Sequence, residues 1–341
     1  MEARFGLFFH SRGRLEPALA HVDRGIKQIE NKPMLFRPVF RSATSKAYNS
    51  ALAARVLILS EMGRYSEARQ TSVKLEKASG STMGEHSTLA LLEMKCGKLD
   101  EALAMARKVP EHETQYDAMR NLMSMVYGLK GDFEQAKQSL IFDPNIGAKY
   151  DNPGVFESLK QNVEGAKWIQ SQKQKLAGIF PPARWIRLAH VYLAEQDFEQ
   201  SDKALDNAEK SLGSNQILES VYWRARARTY AGQYKSKEAE DCIDRARVMA
   251  QKLQSRSAIM ETHLAIGRSY LSLRRWDEAL IELLAAERTS LHPIERHQAN
   301  YWIAHAYGSS DRLADALPYY QKVASDPIAS WMQREAAAAC G

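Results

Sequence analysis

Cysteine is scarce in these 341 residues: Cys96, Cys242 and Cys340 are odd in number, widely spaced and without a C-x-x-C pair. That excludes a disulfide scaffold and a zinc knuckle, and it leads us to expect a reducing, cytoplasmic setting. Long hydrophobic runs are also missing. Phe5-Gly-Leu-Phe-Phe9 and the stretch from Ala51 to Leu59 are too short or too interrupted to span a bilayer, and Glu2 and Arg4 before so brief an apolar run do not make a signal peptide. Charge of one sign is not in large excess. A net charge of +6 and a pI near 9.0 suit solubility, and they could steer acidic partners without requiring nucleic acid. With 45% apolar and 26% charged residues, the chain has enough hydrophobic surface to fold.

Catalytic signatures are absent too. There is no H-E-x-x-H, no G-x-x-x-x-G-K-[ST], and no strand pattern on which a G-x-G-x-x-G turn could sit, so no enzyme, cofactor or metal site is expected. Gly80-Ser-Thr-Met-Gly84 puts Thr82 where a nucleophile elbow has its nucleophile, but it joins two helical patterns rather than following a strand. Asp143-Pro-Asn145 with Asp151 lacks the terminal Glu of a calcium loop. His86 and His263 have no second His or Cys three or four residues away, and they read as packing histidines.

What the chain does have is a repeated phrase: a small turn residue, an aromatic or Leu two positions on, then Ala three further. It occurs as Gly13-Arg-Leu15-Glu-Pro-Ala18, Gly63-Arg-Tyr65-Ser-Glu-Ala68, Gly97-Lys-Leu99-Asp-Glu-Ala102 and Gly131-Asp-Phe133-Glu-Gln-Ala136. Looser copies are Asp197-Phe198-Glu-Gln-Ser201, Arg275-Trp276-Asp-Glu-Ala279 and Arg312-Leu313-Ala-Asp-Ala316. From Gly63 to Gly97 to Gly131 the step is 34 residues, the period of stacked helical hairpins. Upstream of the phrase lies a helical stripe: Trp185-x-x-Leu188-Ala189-x-x-Tyr192, Trp223-x-x-Arg226-Ala227-x-x-Tyr230, His263-x-x-Ile266-Gly267-x-x-Tyr270 and Asn300-x-x-Ile303-Ala304-x-x-Tyr307. The Gly or Ala in it lets two helices approach, and the aromatics fill the space between hairpins. Enlarging Ala279 or Ala136 to Leu is expected to overpack that contact and cost roughly 1–3 kcal/mol, read from a urea midpoint.

In these features the chain resembles the tetratricopeptide repeat family, whose pattern is W-x2-L-G-x2-Y followed by A-x3-F. The resemblance implies an all-α, right-handed superhelical solenoid with no cofactor. Unit starts fall near residues 1, 49, 83, 117, 147, 182, 220, 260 and 297, so about nine hairpins are expected as one solenoid. Residues 1–146 form the N-terminal repeats and 147–181 a degenerate unit broken by Pro153-Gly154. Residues 182–327 form longer repeats, and 328–341 a capping helix with Trp331. Two insertions are expected. Residues 31–45, with Pro33 and Pro38, lengthen the first junction, and after Tyr230 the turn Gly232-Gln-Tyr234 is followed by an Ala that arrives two residues late, at Ala239.

Members of this family line their concave groove with the first helix of each pair and bind protein segments there. By register, the residues two before each Tyr are His190, Arg228, Arg268 and His305, a basic ladder. Those after the Trp slot are Ile186, Arg224, Leu264 and Tyr301. Earlier units carry Ala53, Leu57, Ser87, Leu91, Asn121 and Met125 at these slots, a more neutral surface. Asn121 alone falls where the family's chaperone-tail clamp would have a ligand-holding residue, and no matching Lys and Asn set surrounds it. The candidate partner-binding residues are therefore Asn121, His190, Arg224, Arg228, Arg268, Tyr301 and His305, with the arginines either solvated or holding carboxylates or phosphates. The expected function is a non-enzymatic scaffold or adaptor that binds a protein or peptide, its acidic stretch held by the C-terminal half. The alternative is a regulatory sensor that binds a small peptide or metabolite and changes pitch at its Pro and Gly breaks. RNA binding would need a regular base-reading slot in each unit, and the slots here vary.

Overall fold

A computed structural model describes residues 15–31, 41–79, 84–108, 116–140 and 182–341, apart from 211, 214 and 254. The start of the first unit with Met1 to Phe9 and Gly13, Pro33, Pro38, residues 80–82, Asp143-Pro-Asn145, Asp151 and the whole unit 147–181 with its Pro153-Gly154 break lie outside them.

All regular structure among the described residues is helical. Among the described residues, helix α1 (Leu15–Glu30) is followed by seven hairpins. Three belong to the first half: α2 (Arg41–Glu61) with α3 (Tyr65–Ser79), α4 (Gly84–Lys95) with α5 (Leu99–Ala106), and α6 (Tyr116–Lys130) with α7 (Phe133–Leu140). Four belong to the second: α8 (Pro182–Ala194) with α9 (Phe198–Glu209), α10 (Gln216–Gly232) with α11 (Ser236–Leu253), α12 (Arg256–Ser272) with α13 (Trp276–Thr289), and α14 (Pro293–Ser309) with α15 (Leu313–Ser325). The capping helix α16 (Trp331–Cys340) follows, with Ser330 as its N-cap. The junction insertion is shorter than expected, because α2 already begins at Arg41.

One turn geometry serves all seven hairpins. The chain passes through a left-handed residue, at Gly63, Gly97, Gly131, Gln196, Tyr234, Arg274 and Asp311 in order. The next N–H then reaches back to a carbonyl of the first helix at 2.9 Å, as in Asp132 to Tyr127, Asp197 to Tyr192, Lys235 to Tyr230, Arg275 to Tyr270 and Arg312 to Tyr307. This closes the helix end by the bonding that a left-handed C′ residue allows. Five residues past each turn residue sits the fully buried small side chain: Ala68, Ala102, Ala136, Ser201, Ala239, Ala279 or Ala316. Ala239 is therefore not late. The turn residue there is Tyr234, and Gly232 belongs to the helix, where the Phe198 ring occupies the space that a side chain would need. Within a hairpin the small slots are equally tight. A Cβ on Gly267 would stand 2.6 Å from Leu283 Cγ and 3.2 Å from the Ala279 carbonyl, so neither residue has room to grow.

The stacked hairpins return on themselves. Helix α4 touches α14, α6 touches α16, and α6 and α7 both touch α8. Tyr65 and His292, 227 positions apart, are joined by a 2.6 Å contact from the phenol oxygen to Nδ1. Ile294 and Ile328 are buried in one cluster with Ala90, Met94, Leu99 and Leu122 of the first half. The first helices α8, α10, α12 and α14, with α16 and α6, thus follow one another around a shared lumen.

Candidate functional site

Register alone puts one residue per turn of the lumen wall. Because the first helices run side by side, the position two before each Tyr recurs on the same side of α8, α10, α12 and α14. His190, Arg228 and Arg268 meet there, joined by Arg187 one turn before His190. Together with Met125, Trp302 and Trp331 they line a cavity of about 180 Å³. A second cavity of about 620 Å³ shares Arg228, Arg268, Trp302 and Trp331, and it adds Phe133, Phe198, Trp276, Tyr301 and His305. The smaller space is cationic and the larger one largely aromatic, with Arg228 and Arg268 on the walls of both.

Two carboxylates stand near these charges: Glu335 lines the larger cavity with Arg228 and Arg268, and the charge of Glu261 acts on Arg187. Among the described residues, Arg187, Arg228 and Arg268 form no ion pair, whereas Arg224, Arg226, Arg247 and Arg275 each do. Burial pulls the Arg228 guanidinium down to about 10, so it stays charged at neutral pH. Arg268 is drawn down by burial and by the charge of Arg228, and its guanidinium lies 4.0 Å from the Trp302 ring centre, a cation–π contact. His190 is pushed well below the ordinary imidazole range by burial and by Arg187, Arg228, Arg224 and Arg268, so it is neutral at pH 7. Half-buried cations gathered on one wall repel one another, a cost that an oxyanion would relieve, and guanidinium groups offer it paired donors.

The other candidates fare differently. Arg224 is buried, bonded to the Ala258 carbonyl at 3.3 Å and paired with Glu261 at 2.6 Å, so it ties α10 to α12. Tyr301 is buried, and its hydroxyl donates to Glu335 of α16. Ile186 and Leu264 are buried as well. Residues just after the Trp slot therefore mostly meet the following unit rather than an open groove. His305 lines the larger cavity, lowered by burial and within 3.3 Å of Ser309 Oγ. Asn121 on α6 is half-buried and lines neither of these cavities, although Ser124 and Met125 of the same helix do. Arg187 was missed because the register considered two slots per helix, and its only mark in the sequence is a cation three residues before His190.

His263 proves to be a packing residue, its Nδ1 2.6 Å from Glu282 Oε2, a carboxylate that Arg247 also holds at 2.7 Å. One further constellation has the atom order of a hydrolase triad. His297 Nδ1 lies 2.8 Å from Asp326 Oδ2, and its Nε2 lies 2.8 Å from Ser330 Oγ. Ser330 and His297 are completely buried, however, and Ser330 Oγ accepts the Gln333 N–H as the cap of α16. The trio staples the lead-in of α16 to α14. Among the described residues there is no group of three or more His, Cys, Asp or Glu able to hold a metal, and no helix long and apolar enough to cross a membrane.

Comparison with known proteins agrees with this architecture. The tetratricopeptide repeat family model matches residues 297–325, the α14 and α15 hairpin. Among solved structures, the chain is similar to one from the APC/C hetero-tetramer Cut9–Hcn1, with a TM-score of 0.55 and 12% identity. The match covers 96% of this chain and 54% of that one, so the chain spans little more than half the length of that relative. It is also similar to a tetratricopeptide repeat protein from Parabacteroides merdae ATCC 43184, with a TM-score of 0.48 and 12% identity, over 93% of this chain and 97% of that one. No curated protein sequence matches.

Proposed function

We propose that this tetratricopeptide-repeat chain is an interaction scaffold whose lumen holds an acidic segment of a partner protein. Repeat solenoids of this kind generally serve as protein–protein interaction scaffolds, and the observation that carries the finer reading is the group of three guanidiniums, Arg187, Arg228 and Arg268, that form no ion pair among the described residues. The two connected cavities suit a segment in which an acidic or phosphorylated side chain neighbours a bulky apolar one. The oxyanion enters the 180 Å³ space among the cations, and the apolar neighbour lies against Trp276, Trp302 and Phe198 in the 620 Å³ space. Pocket volumes of a few hundred Å³ hold a short stretch rather than a folded domain.

Labelled Glu-rich peptides, with and without an adjacent Phe, would be titrated against wild type and an Arg228→Ala, Arg268→Ala double variant. Each charge-assisted contact contributes about 1.5–3 kcal/mol, so the double variant should bind roughly 100-fold or more weakly. Wild-type affinity should fall as salt rises, and the Phe-bearing peptide should bind more tightly. Equal binding to both proteins with no salt dependence would mean that the arginines are only a solvated face.

A further inference from the structure

The left-handed turn position raises a question that the repeat pattern alone does not answer. Its φ is near +60° at Gln196, Tyr234, Arg274 and Asp311, so this backbone tolerates side chains. Glycine nevertheless occupies it at positions 63, 97 and 131, with φ of +73°, +81° and +83°. What separates Gly97 and Gly131 from the other turns is coverage. Gln196, Tyr234, Arg274, Asp311 and also Gly63 are exposed, whereas the Gly97 and Gly131 turns are buried and half-buried against the returning C-terminal units. A Cβ on Gly97 would stand 2.5 Å from Ile328 Cγ1, one on Gly131 would stand 3.1 Å from Trp331 Cβ, and Gly63 has only the Leu291 carbonyl at 3.9 Å. Gly97 and Gly131 leave room for another part of the same chain.

We propose that the Gly97 and Gly131 turns form a docking strip for the chain's own C-terminal segment, residues 328–334, and that this contact is a releasable clasp over the cationic lumen. Trp331 lines both cavities, and the Arg334 guanidinium donates to the Lys130 carbonyl at 2.9 Å. The seam is narrow compared with what lies on either side of it. Helix α16 keeps its own packing on α15 through Met332, Ala336, Val323 and Tyr320, and the first half keeps its separate core around Leu52, Ile58 and Leu75. Opening the clasp costs the contacts of Ile328, Trp331 and Arg334 with the first half, and a wider opening also costs those of Ile294 and of His292 with Tyr65. Release widens access to Arg228 and Arg268, and this part of the proposal rests on the acidic-segment reading above.

The test compares the full wild-type chain with variants at Gly63, Gly97 and Ile328. Gly63→Ala and Gly97→Ala carry the same backbone penalty at similar φ, but only the second drives a methyl into Ile328. Hydrogen exchange at residues 328–334 and the radius of gyration from small-angle scattering report opening. Stopped-flow mixing with a labelled Glu-rich peptide reports access. Gly97→Ala should exchange at least tenfold faster at 328–334, scatter as a larger particle and bind the peptide faster, while Gly63→Ala should match wild type in all three. In Gly97→Ala combined with Ile328→Ala the added methyl meets no obstructing side chain, so the double variant should exchange little faster than Ile328→Ala alone, a non-additivity that direct contact gives. If Gly97→Ala behaves as Gly63→Ala does, or if the double variant is simply additive, the proposal fails. Ile328→Gln leaves every glycine in place and checks the seam should Gly97→Ala not fold; an unchanged exchange rate and radius in that variant would overturn the clasp too. A peptide that binds no variant, with the exchange pattern as described, would remove the acidic-segment reading and leave the clasp standing.

Discussion

Stability should fall steeply as the pH is lowered from 7.5 to 5, well before the carboxylates titrate. Four histidines have folded-state affinities for protons below the ordinary value near 6.5. Burial lowers His190, His297 and His305, and it pushes His292 down to about 3. A histidine lowered on folding binds fewer protons in the native state, so its contribution is fully present above pH 6.5 and is lost as the pH falls toward the folded value. For His292 the loss between pH 6.5 and 5 is about 2 kcal/mol, and the others act in the same direction. The position of His292 gives this loss a structural target. Its ring faces Tyr65 of α3 at 2.6 Å and Glu295 of its own helix at 3.8 Å, with Lys95 and Glu61 of the first half contributing opposed charges. Acid should thus loosen the seam between the halves. Glu295, raised by burial, opposes the trend at the acid end, so the comparison belongs above pH 5. Urea midpoints at pH 7.5 and 5.5 would show the drop, and His292→Gln should flatten part of it. A stability profile level across that interval would contradict the burial assigned to these rings.

Replacing Arg226 by Ala should be among the most damaging single changes, at about 2–3 kcal/mol. The Arg226 side chain is 4% exposed and sits at a slot where other units have Leu or Ile. Burial alone would draw its guanidinium down, but bonds to Asp206 and to the Tyr222 hydroxyl hold it up, with Asp202 also bound. Its stem and head lie between the rings of Tyr222 and Tyr230, with centroids 5.3 and 5.7 Å away. Removing one partner of a buried pair usually costs 3–5 kcal/mol; here Asp206 and Glu209 are largely exposed and can rehydrate, which reduces the loss. Arg226→Met keeps the packing between the rings and should cost about 1 kcal/mol less. Equal losses for Ala and Met, measured by urea unfolding, would locate the whole effect in the charges.

Arg226 also shows where sequence reading stops. The 34-residue step, the Tyr before each turn and the Ala five residues after it were legible because each is a local requirement of the hairpin, repeated until it stood out. The ladder of His190, Arg228, Arg268 and His305 followed from the same register. The partners of those side chains did not. Whether a cation at a given slot is spent, as with Arg224 on Glu261, or left free, as with Arg228, depends on what the next unit presents. The turn at Tyr234 was misread because Gly232 looked like the turn residue, and only the backbone conformation shows that Tyr takes the left-handed position. Closure of the solenoid was invisible for a simpler reason. Gly97 and Ile328 lie too far apart in the chain for any local pattern to pair them.

The second half of the solenoid returns onto the first, and Tyr65 with His292 reports that return most directly. Their ring centres are 5.9 Å apart across 227 residues of chain. In a deuterated sample with protonated Tyr and His rings, a nuclear Overhauser effect between Tyr65 and His292 should appear at pH 7.5, disappear in Tyr65→Leu, and weaken as the pH approaches 5. A wild-type spectrum at pH 7.5 with both rings assigned and no cross-peak between them would mean that the solenoid is open, and the enclosed cationic lumen would go with it.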